Sequence, residues 1–321
     1  MTTLLSLDIG NGNTKAVING AKPVLMPSYI LAAPSSLDRP AAGYVEYVRG
    51  DRSDLIGCAW LAGEAAYEQS PSGYDAVNRD TLGKLNKALQ MLLGLLSYHA
   101  PHSLDVELVC SIHLIELADE VSARLNGSHT VRYNDSDTEH TINVKVLKVC
   151  PEGFGAVLEH NLTQGKSVVV DLGNGTTITT IYGKRGRIIE RDVKDGGFED
   201  LISRIARDSD LVLELGTQGN PDRIRRGIED GSYQYARTGV SLLPYVKKHL
   251  APWFEAAING ALSFAREHKA DAEQAIAIGG GATLKPVKSC FEKHGLGVAP
   301  DPVFCSAKGL YKLTQRQAAQ A

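Results

Sequence analysis

Apolar positions fall into short runs that end on glycine, and one of these endings occurs twice. Leu4 to Ile9 is a run of β-compatible residues closing on Gly10-Asn11-Gly12, which predicts a buried strand and a turn. Lys15 to Gly20 then reads as a second strand entering a hairpin at Asn19-Gly20. Residues 32–74 are rich in Pro, Gly, Ser and Tyr without firm periodicity and are expected to form a small inserted subdomain or long loops. Thr81 to Tyr98 predicts a helix with apolar residues around much of its circumference, hence largely buried. Val106 to Ile112 predicts a strand, Leu114 to Leu125 a helix, Thr130 to Tyr133 and Thr141 to Val149 two strands, and Glu152 to Asn161 the start of a short helix.

Near Thr163-Gln164-Gly165-Lys166 the pattern restarts. Ser167 to Leu172 is a strand, Gly173-Asn174-Gly175 a turn, Thr176 to Tyr182 and Arg187 to Val193 strands, and Gly196-Gly197 precedes a helix over Phe198 to Asp208. Residues 244–268 predict helix, broken near Pro252, and Ala275 to Ile278 a short strand running into Gly279-Gly280-Gly281 with a helix from Ala282. Two α/β units with equivalent openings describe an internal duplication.

Composition narrows the class. A chain of 321 residues suits two domains. Its net charge of −3 gives no positive field directed at nucleic acid or an anionic membrane. The five cysteines are scattered without a CxxC pair, which argues against zinc and disulfide frameworks and for a reducing compartment. The N-terminus lacks a basic segment and cleavage site, and the most apolar stretch, Leu85 to Tyr98, is too short to span a bilayer, so a cytoplasmic protein is expected.

The duplicated turn carries the chemistry. Asp8-Ile-Gly-Asn-Gly-Asn-Thr-Lys15 and Asp171-Leu-Gly-Asn-Gly-Thr-Thr177 stand 163 positions apart, each directly after an apolar strand. Glycines at 10 and 12 let backbone amides line a concave nest that an anion can approach, and Lys15 adds positive charge. Asp8 and Asp171, each at a strand end, could hold a magnesium ion through its waters, and two such hairpins could clamp a polyphosphate. The bland alternative, two ordinary Asx-rich hairpins, is weakened by the acid recurring in the same place. Gly279-Gly280-Gly281-Ala282-Thr283 would let a base or ribose lie against backbone at a helix N-terminus, although such turns also serve strand–helix packing. Gly165-Lys166-Ser167 is no P-loop, because the required first glycine is His160 and a strand follows. No GxGxxG opens a helix in a βαβ unit. His99 and His102 have no nearby third ligand and read as a surface turn.

The set of motifs resembles the actin-like ATPase superfamily. Asp8 to Lys15 looks like its first phosphate motif, Val168 to Thr177 its second, and Ile276 to Thr283 its adenosine motif. Pro151 to Ala156 and Ala307 to Tyr311 look like its two connecting helices. DIGNGNTKAV, the Pro151-Glu152-Gly153 opening and the closing DPVFCSAKGLYKL are most similar to ParM-type (StbA-type) plasmid-segregation actins of bacteria.

The resemblance implies an α/β, actin-like (ribonuclease H-like) two-domain ATPase fold with a nucleotide cleft between duplicated domains. Residues 1–166, completed by 305–321, would form domain I and residues 167–304 domain II. It implies ATP (or GTP) with Mg2+ as cofactors: Asp8 and Asp171 for the metal, Lys15 for the phosphates, and Asn11, Gly12, Asn13, Thr14, Gly173, Asn174, Gly175 and Thr176 around the β- and γ-phosphates. It gives Asp171 and Glu152 the catalytic roles, Glu152 orienting the attacking water. The plain alternative for Glu152 is an acid complementing a helix dipole. Asp192 and Asp195 flank Gly196-Gly197, where kinases of the superfamily use an acid as base, and their bland reading is a turn before a helix.

The function so implied is a polymerising ATPase forming head-to-tail filaments with itself. It would move plasmid DNA through a separate DNA-binding adaptor, with no sequence-specific DNA binding of its own and no membrane partner. The rivals are a small-molecule kinase or phosphatase of the same superfamily and a non-polymerising regulatory ATPase.

Overall fold

The structure, a computed structural model, describes residues 2–71, 73–77 and 82–320. Two units partition the chain: Met1–Thr163 with Phe304–Ala321, and Gln164–Val303.

The first unit contains strands β1 (Thr3–Ile9), β2 (Asn13–Ile18), β3 (Val24–Pro27), β4 (Tyr29–Ala32), β5 (Tyr44–Gly50), β6 (Ala59–Ala62), β7 (Asp75–Ala76), β8 (Leu104–Ile112), β9 (Gly127–Tyr133) and β10 (Glu139–Pro151). Its helices are α1 (Gly63–Gln69), α2 (Gly83–His99), α3 (Ala118–Leu125), α4 (Phe154–Glu159) and the C-terminal helix Cys305–Ala318. The strands form one ten-stranded sheet in the order β3-β2-β1-β8-β10-β9-β5-β6-β4-β7. β1 pairs antiparallel with β2 and parallel with β8, and β8 runs parallel to β10.

The second unit contains β11 (Ser167–Leu172), β12 (Thr176–Tyr182), β13 (Ile188–Asp195), β14 (Gln274–Ile278) and β15 (Gly297–Val298). Its helices are α5 (Phe198–Ala206), α6 (Ser209–Leu215), α7 (Pro221–Glu229), α8 (Leu243–Ala257), α9 (Asn259–Lys269) and α10 (Lys285–Lys293), so that the C-terminal helix is α11. The five-stranded order β13-β12-β11-β14-β15 repeats the first five strands of the other sheet, with the same sequence of antiparallel and parallel pairings. This is the duplication in three dimensions.

Several expectations change. Residues 32–74 hold β5, β6 and α1 between irregular stretches: β5 joins the main sheet through β9, and Tyr44, Leu61, Ala65, Ala66 and Tyr74 belong to a small hydrophobic cluster of their own. The helix expected from Thr81 is α2, which begins at Gly83; Thr81 itself lies outside the described residues. Leu89, Leu92, Leu93 and Leu96 of α2 are fully buried, which accounts for apolar residues around much of its circumference. The helix expected from Leu114 starts as a 3₁₀ turn, Ile115–Leu117, before α3. Pro252 lies inside α8, and the break falls at Ile258, which caps α8 and opens α9. Gly280–Thr283 is 3₁₀, and the helix expected at Ala282 starts at Lys285.

The two connecting helices, α4 and α11, pack at a pair of glycines. A Cβ on Gly155 would strike the Ser306 carbonyl, and one on Gly309 would strike the carbonyl of Gly155. Leu158, Leu310 and Leu313 close the contact with Val109 and Cys150 of the sheet.

Candidate functional site

Both acid–glycine turns form, with matching hydrogen bonds. The Gly10 amide donates to the Asn13 carbonyl at 3.0 Å, and the Gly173 amide to the Thr176 carbonyl at 3.0 Å. The carbonyl of Gly12 accepts from the Ser28 amide at 3.0 Å, and that of Gly175 from the Gly197 amide at 3.1 Å. The carbonyl of Gly10 accepts the Ser28 hydroxyl, and that of Gly173 the Phe198 amide. Carbonyls are thus tied back into the fold. Among the described residues, the amides of Asn11 and Gly12 donate to no other group of the chain, which leaves them for an anion. Glycine is required at residue 10, where a Cβ would stand 2.7 Å from the Asn13 carbonyl.

In the first unit, Asp8 is 6% exposed at the end of β1. Its Oδ1 accepts the Ser111 hydroxyl at 2.7 Å and its Oδ2 the Lys15 ammonium at 3.2 Å. Burial pushes its carboxyl pKa up, but Lys15, the Ser111 hydrogen bond and Lys84 together outweigh it and hold the group below its ordinary value. Asp8 is therefore an anion at neutral pH. Thr14 turns inward: fully buried, it shares a 3.0 Å hydrogen bond with Ser28 and lies 3.5 Å from the Met91 sulfur. Its hydroxyl is a core group, not the phosphate contact expected, and Thr177, the equivalent residue in the second turn, is equally buried.

Glu152 lies outside the helix that was expected to begin with it. Its amide donates to the Ile112 carbonyl at 3.1 Å, extending the β10–β8 pairing, and Gly153 then turns with φ +83° before α4. This removes the reading of Glu152 as a first-turn helix acid. The carboxylate is buried and accepts the ammonium of Lys84, from the first turn of α2.

In the second unit, Asp171 is the last residue but one of β11 and pairs in register with Ile278 of β14. Its Oδ1 lies 2.6 Å from where a Cβ on Gly279 would stand, so Gly279, with φ +91°, leaves room for this carboxylate. A Cβ on Gly281 would collide with Leu172, and Ala282 is fully buried, so these two small residues serve packing. Gly280 faces open space. Asn174 donates its side-chain amide to Glu199 at 3.2 Å, and its carbonyl accepts the Glu199 amide at 2.7 Å. Trp253 donates to the Gly197 carbonyl at 3.0 Å, fixing the segment behind the second turn. Asp192 and Asp195 are residues of β13 rather than of a turn, and Asp192 pairs with Lys194 at 3.2 Å.

Among the described residues, no group of three His, Cys, Asp or Glu side chains could cage a metal ion. Magnesium asks for less: one or two carboxylates, with waters and substrate phosphates completing its shell. Each unit offers one carboxylate of that kind, Asp8, held ionised in the first, and Asp171, beside Gly279 in the second.

Motif analysis did not single out Lys84, Ser111, Ser28 or Glu199. The helix that holds Lys84 also holds Asn86, Lys87 and Gln90, so nothing in the sequence set Lys84 apart. Ser111, at a strand end, and Ser28 carried no signal either.

The twice-built strand–turn–strand, the repeated sheet order and the two glycine-packed helices define the actin-like fold. Residues 6–155 match the model of the actin-like proteins N-terminal domain. Solved structures agree along the whole chain. An archaeal actin homologue shares 19% identity, with a TM-score of 0.73 over 98% of this chain and 100% of that one. A 15-stranded ParM filament from Clostridium botulinum shares 18%, with a TM-score of 0.74 over 98% and 99%. Bacillus thuringiensis ParM with AMPPNP shares 17%, with a TM-score of 0.68 over 99% of both chains. No curated protein sequence matches. The actin-like fold implied by the motifs stands on these findings.

Proposed function

We propose that the chain is a nucleotide-dependent, filament-forming actin-like ATPase that drives plasmid DNA segregation. The observation that carries the reading is the matching hydrogen-bond closure of the two turns, each with a carboxylate near the end of the preceding strand. A solved relative with AMPPNP and another in a filament support it. In this reading the Asn11 and Gly12 amides and Lys15 take phosphate oxygens from the first unit, and Gly173 to Thr176 take them from the second. Asp8 and Asp171 hold Mg2+, which when bound neutralises charge on the phosphates. Gly279 and Gly280 leave room for the adenosine, and Glu152 orients the water. Subunits join head to tail, an arrangement that extends into open filaments. With a net charge of −3 the link to DNA falls to a separate adaptor.

Sedimentation of the purified chain tests this directly. Pelleting with ATP and magnesium, and not without nucleotide, is the expected result. A chain that stays in the supernatant with ATP, GTP and magnesium at every concentration overturns the filament, and nucleotide hydrolysis measured on the same samples tests the ATPase separately.

A further inference from the structure

Lys84 stands where a structural role gives no reason for an ammonium. It occupies the first turn of the 17-residue helix α2, the end where the helix dipole disfavours positive charge, and its side chain is only 6% exposed. The neighbouring buried positions of that helix are Gly83, Leu85, Ala88 and Leu89. A buried cation is tolerated when close anions and hydrogen bonds compensate its lost hydration. Here the ammonium donates to the Glu152 carboxylate, and its charge also acts on Asp8.

Glu152 is held from three sides. Its amide is fixed to the Ile112 carbonyl, the left-handed Gly153 sets the chain direction after it, and Lys84 grips one carboxylate oxygen, Oε1. An unheld glutamate would sample several rotamers, and most of them would aim its oxygens away from a water bound beside a phosphate. With Oε1 engaged by Lys84, the carboxylate has a defined plane.

We propose that Lys84 is a positioning residue for hydrolysis, holding the Glu152 carboxylate in the orientation from which it accepts a hydrogen bond from the attacking water. In that step the water oxygen bonds to the γ-phosphorus, the bond from phosphorus to the ADP oxygen breaks, and the water's proton leaves with the phosphate product. Lys84 takes no proton and touches no reacting atom. The inference rests on the ATPase reading above.

The test is a double-mutant cycle on the full chain: Lys84→Met, Glu152→Gln and the pair, with Lys84→Arg alongside. ATP affinity and single-turnover hydrolysis are measured for each. Lys84→Met is expected to cut kcat about a hundredfold, the scale of a misplaced reacting group, while nucleotide affinity changes by less than about threefold. Retained affinity shows that the variant is folded. Lys84→Arg recovers most of the rate, because a guanidinium can still grip the carboxylate. Lys84→Met with Glu152→Gln is no slower than Glu152→Gln alone, because a residue acting through Glu152 has nothing left to position. If the two losses multiply and affinity also falls, Lys84 contacts the phosphates and the proposal is overturned; an unchanged kcat in Lys84→Met overturns it too. A wild type that hydrolyses no nucleotide removes the ATPase reading itself, and this inference with it.

Discussion

The carbonyl oxygen of Gly155 occupies the space that a side chain at Gly309 would need. Helices α4 and α11 touch there backbone to backbone, although their glycines are separated by nearly half of the chain. An alanine at 309 must push the helices apart or tilt one of them. Gly309→Ala is expected to destabilise the first unit by about 3 kcal/mol, the upper end of ordinary overpacking. Chemical denaturation of wild type and variant checks it, and an unshifted midpoint would show that the helices separate without cost.

Asp208 gives a pH-dependent prediction. Its carboxylate accepts the amides of Asp210 and Leu211 as the N-cap of α6, and it also accepts Lys248 at 2.8 Å and His249. Burial raises its pKa, but Lys248, His249 and the two amides outweigh this and lower it to about 2 from the ordinary 3.8. A depressed carboxyl stabilises the fold fully above the unfolded pKa, and the contribution is lost as pH falls from 3.8 through about 2. Asp208→Ala should cost about 1 kcal/mol or more at pH 7, the scale of a lost N-cap. The gap between wild type and variant should narrow below pH ~4, and a gap that is constant down to pH ~2 would contradict the assignment.

Asp171→Ala tests the second turn. Loss of a carboxylate that positions magnesium should reduce turnover about a hundredfold or more, on the order of 3 kcal/mol of transition-state stabilisation. Near-normal turnover would remove Asp171 from the site and undo the argument from paired turns.

Glu152→Ala separates binding from hydrolysis. Affinity should stay near that of wild type, because ground-state contacts come from the two turns and Lys15. Hydrolysis should fall by ~10²–10⁴-fold. After a limiting pulse of ATP, light scattering from wild type should rise and decay, while that of the variant should rise and persist. Decay at the wild-type rate would strip Glu152 of its role.

Specific activity should also depend on assembly. In the filament reading it rises above a critical protein concentration, whereas a small-molecule kinase would turn over at constant specific activity and respond to an added acceptor. A strictly linear dependence of rate on protein concentration across the micromolar range would count against filaments.

Local signals in the sequence determined the strand–turn–strand units, because a run of β-compatible residues ending in Asp-x-Gly is specified by neighbours only a few positions apart. The recurrence of that unit 163 positions later gave the duplication, and the short phrases around Glu152 and Ala307 gave the connecting helices. The rest depended on partners far away in the chain. β5 is a strand because it pairs with β9, and no alternation within residues 32–74 announces that. Thr14 faces the core because Ser28 and Met91 receive it there, so its neighbours in the turn said nothing about its direction. Glu152 stays outside the helix, in the turn that follows β10, because Ile112 takes its amide, where the sequence read a helix start. Lys84 meets Glu152 across 68 positions because α2 packs on the sheet with its first turn beside the end of β10. Ion pairs of this kind have no periodicity and no fixed spacing, and only the packing of one element on another brings their charges together.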